Sequence, residues 1–281
     1  MYNEKNQLKM NLTRIRDNNY DLAAGENVSD YLKVMLKYIG DTDFELRDRL
    51  IYLTLMHWIE DKGYFNSEEL CSLLNTILSE DFMFFNIGSE GDDSVFKRSF
   101  SVLLINPIVC VHLNEAFLAE SLVLKTKDCL IRYLHEEKDL RGYDNVKGWA
   151  HAIAHAADGL NVLLVCDGIT EDHCKEVLKA IESKVFEGKS LLGAEEDERL
   201  VNVIYYSIME NGLLSSSYIC SWLERLSKVI DIEDRITRYI ARVNAKNIAR
   251  SLYYRMKHVK DYADVSNTVF KLEKKLNIYI D

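Results

Sequence analysis

Apolar residues recur every three or four positions along most of the chain, which is the spacing of one face of an α-helix. Ser29, Ser67 and Thr170 each stand before such a segment and are followed by acidic residues, as is typical of helix N-termini. Short turns rich in Gly and Asp separate the segments, and none of the segments alternates convincingly between apolar and polar residues as a strand does. The pattern predicts an all-α fold of about ten to thirteen helices with short connections.

The order of helices and turns is similar in two parts of the chain. Asp48 lies 103 residues before His151. Tyr52 lies the same distance before His155, and the turns that follow are also similar. Two pseudo-repeats of about four helices each are therefore predicted, roughly over residues 43–146 and 147–258, with flanking helices at both ends of the chain.

Repeated units of this length are typical of stacked helical hairpins. They predict an α/α superhelix of the armadillo or HEAT kind, or one that curves toward an α/α toroid. Chance similarity among amphipathic helices is the alternative explanation. Because no Pro- or Ser-rich linker divides the sequence, residues 1–281 are expected to form a single domain.

The low proline content indicates long helices, and the net charge argues against some classes of binding partner. The 281 residues include one proline, Pro107, and the formal net charge is −10. Because this charge repels phosphate, neither nucleic acid nor a membrane is an expected partner. The six cysteines form no Cys-x-x-Cys pair, so neither a zinc ribbon nor a disulfide framework is indicated. The polar N-terminus and the lack of a long apolar run predict a cytoplasmic location.

The segment that begins at Lys147 carries the most informative polar pattern. If this segment is helical throughout, one narrow stripe holds four polar side chains: Lys147, His151, His155 and Asp158. Trp149 then falls on the opposite, apolar face, and alanines between the two faces allow neighbouring helices to approach closely.

Two histidines one helical turn apart, followed by a carboxylate, can share one divalent metal ion. His151, His155 and Asp158 are therefore a candidate metal site. A zincin would carry Glu directly after the first histidine, but Ala152 stands there, so the general base of that mechanism is missing. Two alternatives stay open: a polar groove that binds a polar or anionic ligand without metal, and a solvated helix face without function.

Asp48 is expected to face the same groove, because equivalent positions of stacked repeats project to the same side. An acid among leucines usually has a partner, and a structural salt bridge with Arg47 or Arg98 is the simplest interpretation. Arg141 and Tyr143, which precede the histidines, are candidates to orient a ligand, with an ordinary turn at that point as the alternative.

Several phrases of the sequence are similar to an uncharacterised bacterial family known as domain of unknown function 2785. They are Arg47–Leu50, Asp93–Ser101, Glu137–Tyr143, Lys147–Asp158 and Glu196–Leu200, and the resemblance covers roughly residues 45–225. It implies a bacterial, cytoplasmic, all-helical protein and implies no activity. The signature positions of the family map here onto twelve residues: Asp48, Asp93, Arg98, Arg141, Tyr143, Lys147, Trp149, His151, His155, Asp158, Glu198 and Arg199.

These residues favour a polar concave groove that binds a small polar ligand or a peptide without catalysis. A metal-assisted hydrolase in the same groove is the first alternative, with His151, His155 and Asp158 holding the ion and Asp48 activating water. A scaffold for protein partners is the second alternative. The scaffold predicts a large exposed apolar patch and no convergence of polar side chains.

Overall fold

The helical periodicity of the sequence corresponds to helices in the structure, a computed structural model that describes residues 2–279. The α-helices are α1 (Tyr2–Asp17), α2 (Val28–Tyr38), α3 (Leu53–Glu60), α4 (Ser67–Ile77), α5 (Ser94–Leu103), α6 (Ile105–Glu115), α7 (Glu120–Glu136), α8 (Ala152–Leu163), α9 (Glu171–Glu187), α10 (Glu196–Asn202), α11 (Ser216–Leu226), α12 (Arg235–Met256) and α13 (Ala263–Leu276). The prediction of an all-α fold is confirmed.

Four shorter helical segments complete these helices. A π-helix, Glu45–Tyr52, leads directly into α3, and a second π-helix, Val203–Met209, follows α10 without a break. Two 3₁₀ segments, Ser227–Asp231 and Lys260–Tyr262, flank α12. The first π-helix and α10 contribute residues to the site described below.

Polar caps explain where several helices begin. Asn66 accepts a hydrogen bond from the backbone N–H of Glu69 and caps α4, and Thr170 caps α9, both within one residue of the predicted starts. Helix α2 lies where the sequence predicts it, but Ser29 is not its cap. Asn27 caps this helix instead, because its side-chain oxygen accepts the backbone N–H of Ser29 at 2.7 Å.

Helix α8 lies at the centre of the site-forming region and packs against α5, α6, α7 and α10. The small residues of α8 permit this close packing: Ala152, Ala154, Ala156 and Ala157 are all at least 99% buried. A Cβ at Gly159 would already touch Leu130 at 3.4 Å. The alanine-rich sequence therefore allows α8 to lie close to its four neighbouring helices.

One continuous helical stretch, Ser94–Glu115, is long and apolar enough to cross a membrane by length and composition. It consists of α5 and α6, and 67% of its most apolar window is buried inside the fold. Burial of this extent is typical of a core helix in a soluble protein.

The segment before α8 differs from the prediction. Residues Tyr143–Asp144 (β1) and Gly148–Trp149 (β2) form a short antiparallel hairpin, and α8 begins only at Ala152. Asp144 stabilises the turn, because its Oδ1 accepts the backbone N–H of residues 146 and 147 at 2.9 and 2.8 Å. The predicted helical stripe through Lys147 and His151 is therefore wrong, and Trp149 is 38% exposed rather than part of an apolar helix face.

Arg47 holds this hairpin against the first π-helix. Its side chain is fully buried, and its guanidinium donates to the carbonyl oxygens of Asp41 at 2.5 Å, Lys147 at 2.6 Å and Trp149 at 3.1 Å. Gly148 adopts φ +78°, and a Cβ there would lie 2.7 Å from the Cβ of Phe44. Glycine at position 148 therefore permits both the turn and its contact with the N-terminal part of the chain.

The predicted salt bridges of Asp48 are absent among the described residues. The guanidinium of Arg47 binds backbone carbonyls, and Arg98 forms a fully buried ion pair with Glu137. Asp48 makes no ion pair within residues 2–279 and is partly buried on the π-helix. Its carboxylate is therefore left for the cavity described next.

Candidate functional site

A cavity of about 640 Å³ lies where the first π-helix, β2, the start of α8 and the loop before α10 meet. We call it the His151 cavity. It is lined by Asp48, Tyr52, Phe100, Leu103, Trp149, His151, His155, Asp158, Gly193, Ala194, Glu195 and Arg199. The wall therefore combines charged groups, two imidazoles and three aromatic rings from distant parts of the sequence.

The structure brings half of the predicted site residues together in this cavity. These six are Asp48, Trp149, His151, His155, Asp158 and Arg199. Asp48 and the two histidines thus border one space, even though the histidines do not share the predicted helical stripe.

The other six predicted residues lie outside the cavity wall and contact groups of the protein itself. Arg98 binds Glu137, Arg141 binds Asp139, Lys147 binds Asp93 at 2.5 Å, Glu198 binds Arg255 at 2.8 Å, and the ring of Tyr143 packs edge-on against Trp149. Several of these contacts hold the loops around the cavity. Arg141, for example, also donates to the backbone carbonyl of Asp92.

His155 lies in the first turn of α8 and is only 6% exposed. Its Nδ1 is 3.1 Å from the backbone carbonyl oxygen of Ser99. Because a carbonyl oxygen only accepts hydrogen bonds, Nδ1 carries the proton and Nε2 keeps a lone pair. Burial and, to a smaller extent, the nearby His151 together lower the pKa of His155 to about 3, so the ring is neutral near pH 7.

We expect His155 to make folding stability depend on pH. Below its ordinary pKa of 6.5 the unfolded chain binds a proton, whereas the folded chain does not until about pH 3. The contribution of His155 to the free energy of unfolding is therefore full above pH 6.5 and is lost as the pH falls. His155→Asn keeps a donor for the carbonyl oxygen of Ser99 but cannot be protonated. As the pH falls, the free energy of unfolding of wild type should therefore decrease by up to about 1.4 kcal/mol per pH unit more than that of the variant.

Urea unfolding at pH 7, 6 and 5 measures this difference. His258→Asn is the matched control, because His258 is exposed and its replacement should leave the pH dependence as in wild type. Parallel pH profiles for wild type and His155→Asn would contradict the burial of a neutral imidazole at this position.

His151 caps α8 in an uncommon backbone conformation. Its φ of 50° and ψ of 33° lie in the left-handed region, which costs free energy for a residue other than glycine. The ring stacks on Trp149 with centroids 4.0 Å apart and meets His155 edge-on at 5.8 Å. Its buried Nε2 has no hydrogen-bond partner among the described residues. Burial lowers the pKa of His151, and the charge of Arg199 lowers it further.

The carboxylates of the cavity differ in their partners. Asp158 forms an ion pair with Arg199; burial raises the pKa of Asp158, and the arginine opposes this rise. Burial also raises the pKa of Asp48, which lacks such a partner among the described residues. Glu195 caps α10 with φ 65°, a second left-handed residue at the cavity wall.

The predicted metal site is not supported by this geometry. Within residues 2–279, no group of three or more His, Cys, Asp or Glu side chains is arranged to hold a metal ion. Two local reasons are visible. His151 precedes α8 in a left-handed conformation instead of lying one helical turn before His155, and Asp158 is already paired with Arg199.

Three features of the site had no clear signal in the sequence. Phe100 and Glu195 line the cavity, and Arg47 holds its hairpin wall, but their roles depend on contacts far along the chain. Tyr52 is different, because the repeat offset pairs it with His155 and both residues line the cavity. The π-helix that carries Asp48 and Tyr52 is a kind of helix often found at functional sites.

The fold and the site define an all-α protein with helical packing around a polar cavity. The chain belongs to the family described as protein of unknown function (DUF2785), whose model matches residues 83–254. The match extends further toward the C-terminus than the resemblance in the sequence suggested, and Asp48 and Tyr52 precede it. No curated protein and no solved structure matches the chain.

Proposed function

We propose that the protein binds a small polar ligand in the His151 cavity without catalysing a reaction. One observation carries this proposal: an unpaired carboxylate, two neutral imidazoles and an ion pair border a single cavity of about 640 Å³. Cavities of this size hold small ligands, and a few convergent polar groups among apolar ones are typical of binding sites. We place this function in the bacterial cytoplasm, in keeping with the family resemblance and the acidic composition.

Backbone strain supports a functional role for the cavity wall. His151 and Glu195 are both left-handed residues without a side-chain cap hydrogen bond. Such conformations cost about 1–3 kcal/mol each and tend to occur at binding and active sites. Packing of α8 against α5 and α7 keeps His151 in place despite this cost.

The alternatives receive less support. A hydrolase that uses His151, His155 and Asp158 as metal ligands requires Asp158 to leave Arg199 first. In a protein scaffold, polar side chains are not expected to converge. Here five charged or imidazole side chains among the predicted site residues line one cavity. A cavity of about 640 Å³ is in the range typical of small-molecule sites, so we favour a small molecule over a peptide.

We also propose that residues 1–281 form a single domain of stacked helical hairpins. Helices α5, α6 and α7 belong to the first predicted repeat, and α8 belongs to the second. Their close packing against α8 joins the two repeats, and the cavity wall also takes residues from both.

A thermal unfolding screen tests the binding function. The panel contains small amines, amino acids, carboxylates, sugars and nucleosides. A ligand present at 100 times its Kd should raise the free energy of unfolding by about 2.7 kcal/mol. We expect at least one class of compound to stabilise wild type.

A blocked cavity identifies where such a compound binds. Gly193 lines the cavity, and a Cβ there would meet no heavy atom within 4 Å, so Gly193→Phe should fold normally and obstruct ligand entry. Leu191→Phe is the matched control, because Leu191 is exposed and outside the wall. Ligand stabilisation should persist in the control and disappear in Gly193→Phe. Compounds that affect all three proteins equally, or none of them, contradict the proposal.

A further inference from the structure

We infer that the ligand of the His151 cavity carries a protonated amine, which binds the carboxylate of Asp48. This inference rests on the proposed function and adds the chemical class of the ligand. It follows from three independent features of the wall: its charge, its supply of hydrogen-bond acceptors and its aromatic rings.

The cavity wall is negatively charged. Among the described residues, its acids are Asp48, Asp158 and Glu195, and Arg199 is the only arginine or lysine that lines it. The charge of Arg199 is already matched by Asp158. Asp48 has no such partner within residues 2–279, and the adjacent Arg47 uses its terminal nitrogens on backbone carbonyls. A positively charged ligand would therefore balance the negative charge of the wall.

The imidazoles offer acceptors rather than donors to this space. His155 donates through Nδ1 to Ser99, so its Nε2 retains a lone pair and has no hydrogen-bond partner among the described residues. The residue is more than nine-tenths buried and lines the cavity. A ligand rich in N–H donors satisfies this nitrogen together with Asp48, and an ammonium group has three such donors.

Aromatic side chains line the same cavity as Asp48. Tyr52 is four residues from Asp48 on the π-helix, and Phe100 and Trp149 are the other two aromatic residues of the wall. One face of the Trp149 ring stacks on His151, and the side chain remains 38% exposed. Aromatic faces attract organic cations, while they do not favour carboxylates or phosphates. The ligand therefore combines an ammonium group with an apolar body.

Three probes with the same phenyl ring and different headgroups test this inference: 2-phenylethylamine, 2-phenylethanol and phenylacetate. Binding is measured by isothermal titration calorimetry and by tryptophan fluorescence. Trp149 is the reporter, because Trp58 and Trp222 are fully buried. We expect the amine to bind at least about tenfold more tightly than the alcohol, as a charge-assisted hydrogen bond would provide, and the acid to bind most weakly.

Asp48→Asn isolates the carboxylate and changes little in shape. The amine should bind this variant no more tightly than the alcohol does. Glu45→Gln is the matched control, because Glu45 lies on the same π-helix, is exposed and does not line the cavity. The control loses the same charge and should keep the preference for the amine. Thermal unfolding of both variants checks that they are folded.

The outcomes separate this inference from the proposed function. Equal binding of the three probes, tightest binding of phenylacetate, or an unchanged preference in Asp48→Asn overturns the amine. Even then, a probe that binds wild type but does not bind Gly193→Phe supports the cavity as a binding site. If none of the probes binds, the amine inference fails, and the metabolite screen decides the proposed function separately.

Discussion

Replacing Glu137 with glutamine should lower the free energy of unfolding by about 3–5 kcal/mol. Glu137 and Arg98 are both fully buried, and Nε and Nη2 of the arginine donate to the two carboxylate oxygens at 2.7 and 2.9 Å. Glutamine keeps the shape of the side chain but leaves the guanidinium charge without its counter-ion in the core. Urea unfolding near pH 7 measures the loss.

The neighbouring acid provides the control for this prediction. Glu136 pairs with Arg132 near the surface, where both side chains are 41% exposed, so Glu136→Gln should cost at most about 1 kcal/mol. Replacing both buried partners, as in Arg98→Met with Glu137→Leu, removes the charge as well as the partner and should recover much of the loss. Similar stabilities for Glu137→Gln and Glu136→Gln would show that the buried pair is not needed.

Arg47→Lys should lower the free energy of unfolding by about 2–3 kcal/mol and loosen the hairpin wall of the cavity. The guanidinium reaches three backbone carbonyls and lies 4.2 Å from the ring centroid of Phe96. Burial lowers the pKa of Arg47 to about 10, because the guanidinium charge is poorly solvated in the core. A lysine keeps the buried charge but cannot span the same carbonyls.

Two measurements follow this change. Urea unfolding gives the loss of stability, and iodide quenching of Trp149 fluorescence reports the release of the hairpin. Arg49→Lys is the control on the same π-helix, because Arg49 is exposed and its replacement should stay within about 0.5 kcal/mol of wild type. If Arg47→Lys matches this control in both measurements, the guanidinium does not hold the hairpin.

Local pattern predicted most of the fold. Apolar spacing and the start signals at Ser67 and Thr170 are local to one helix, and the corresponding helices begin within one residue of these positions. The failure at Lys147–His151 has a different origin. Here the spacing also suits a helix, but Arg47, 100 residues earlier, binds the carbonyl of Lys147, and Gly148 packs on Phe44. Contacts of that range cannot be read from periodicity.

The site was predictable in its residue types and less so in their partners. His151, His155 and Asp158 were identified from their spacing, and they do line one cavity. The assumed partner of Asp48 was wrong, because Arg47 is used by backbone carbonyls and Arg98 by an acid 39 residues away. Three-dimensional packing decides which charged groups form pairs. A sequence therefore identifies candidate groups but does not determine their partners.

The wall of the His151 cavity has a consequence for how the protein is made. Its first members, Asp48 and Tyr52, leave the ribosome long before Arg199, which completes the wall. Synthesis proceeds from the N-terminus at about 5–20 residues per second. The π-helix is therefore synthesised several seconds before Arg199, which lies on another part of the cavity wall. During that interval a nascent chain holds the unpaired carboxylate but no closed cavity, so ligand capture begins only after Arg199 has been synthesised.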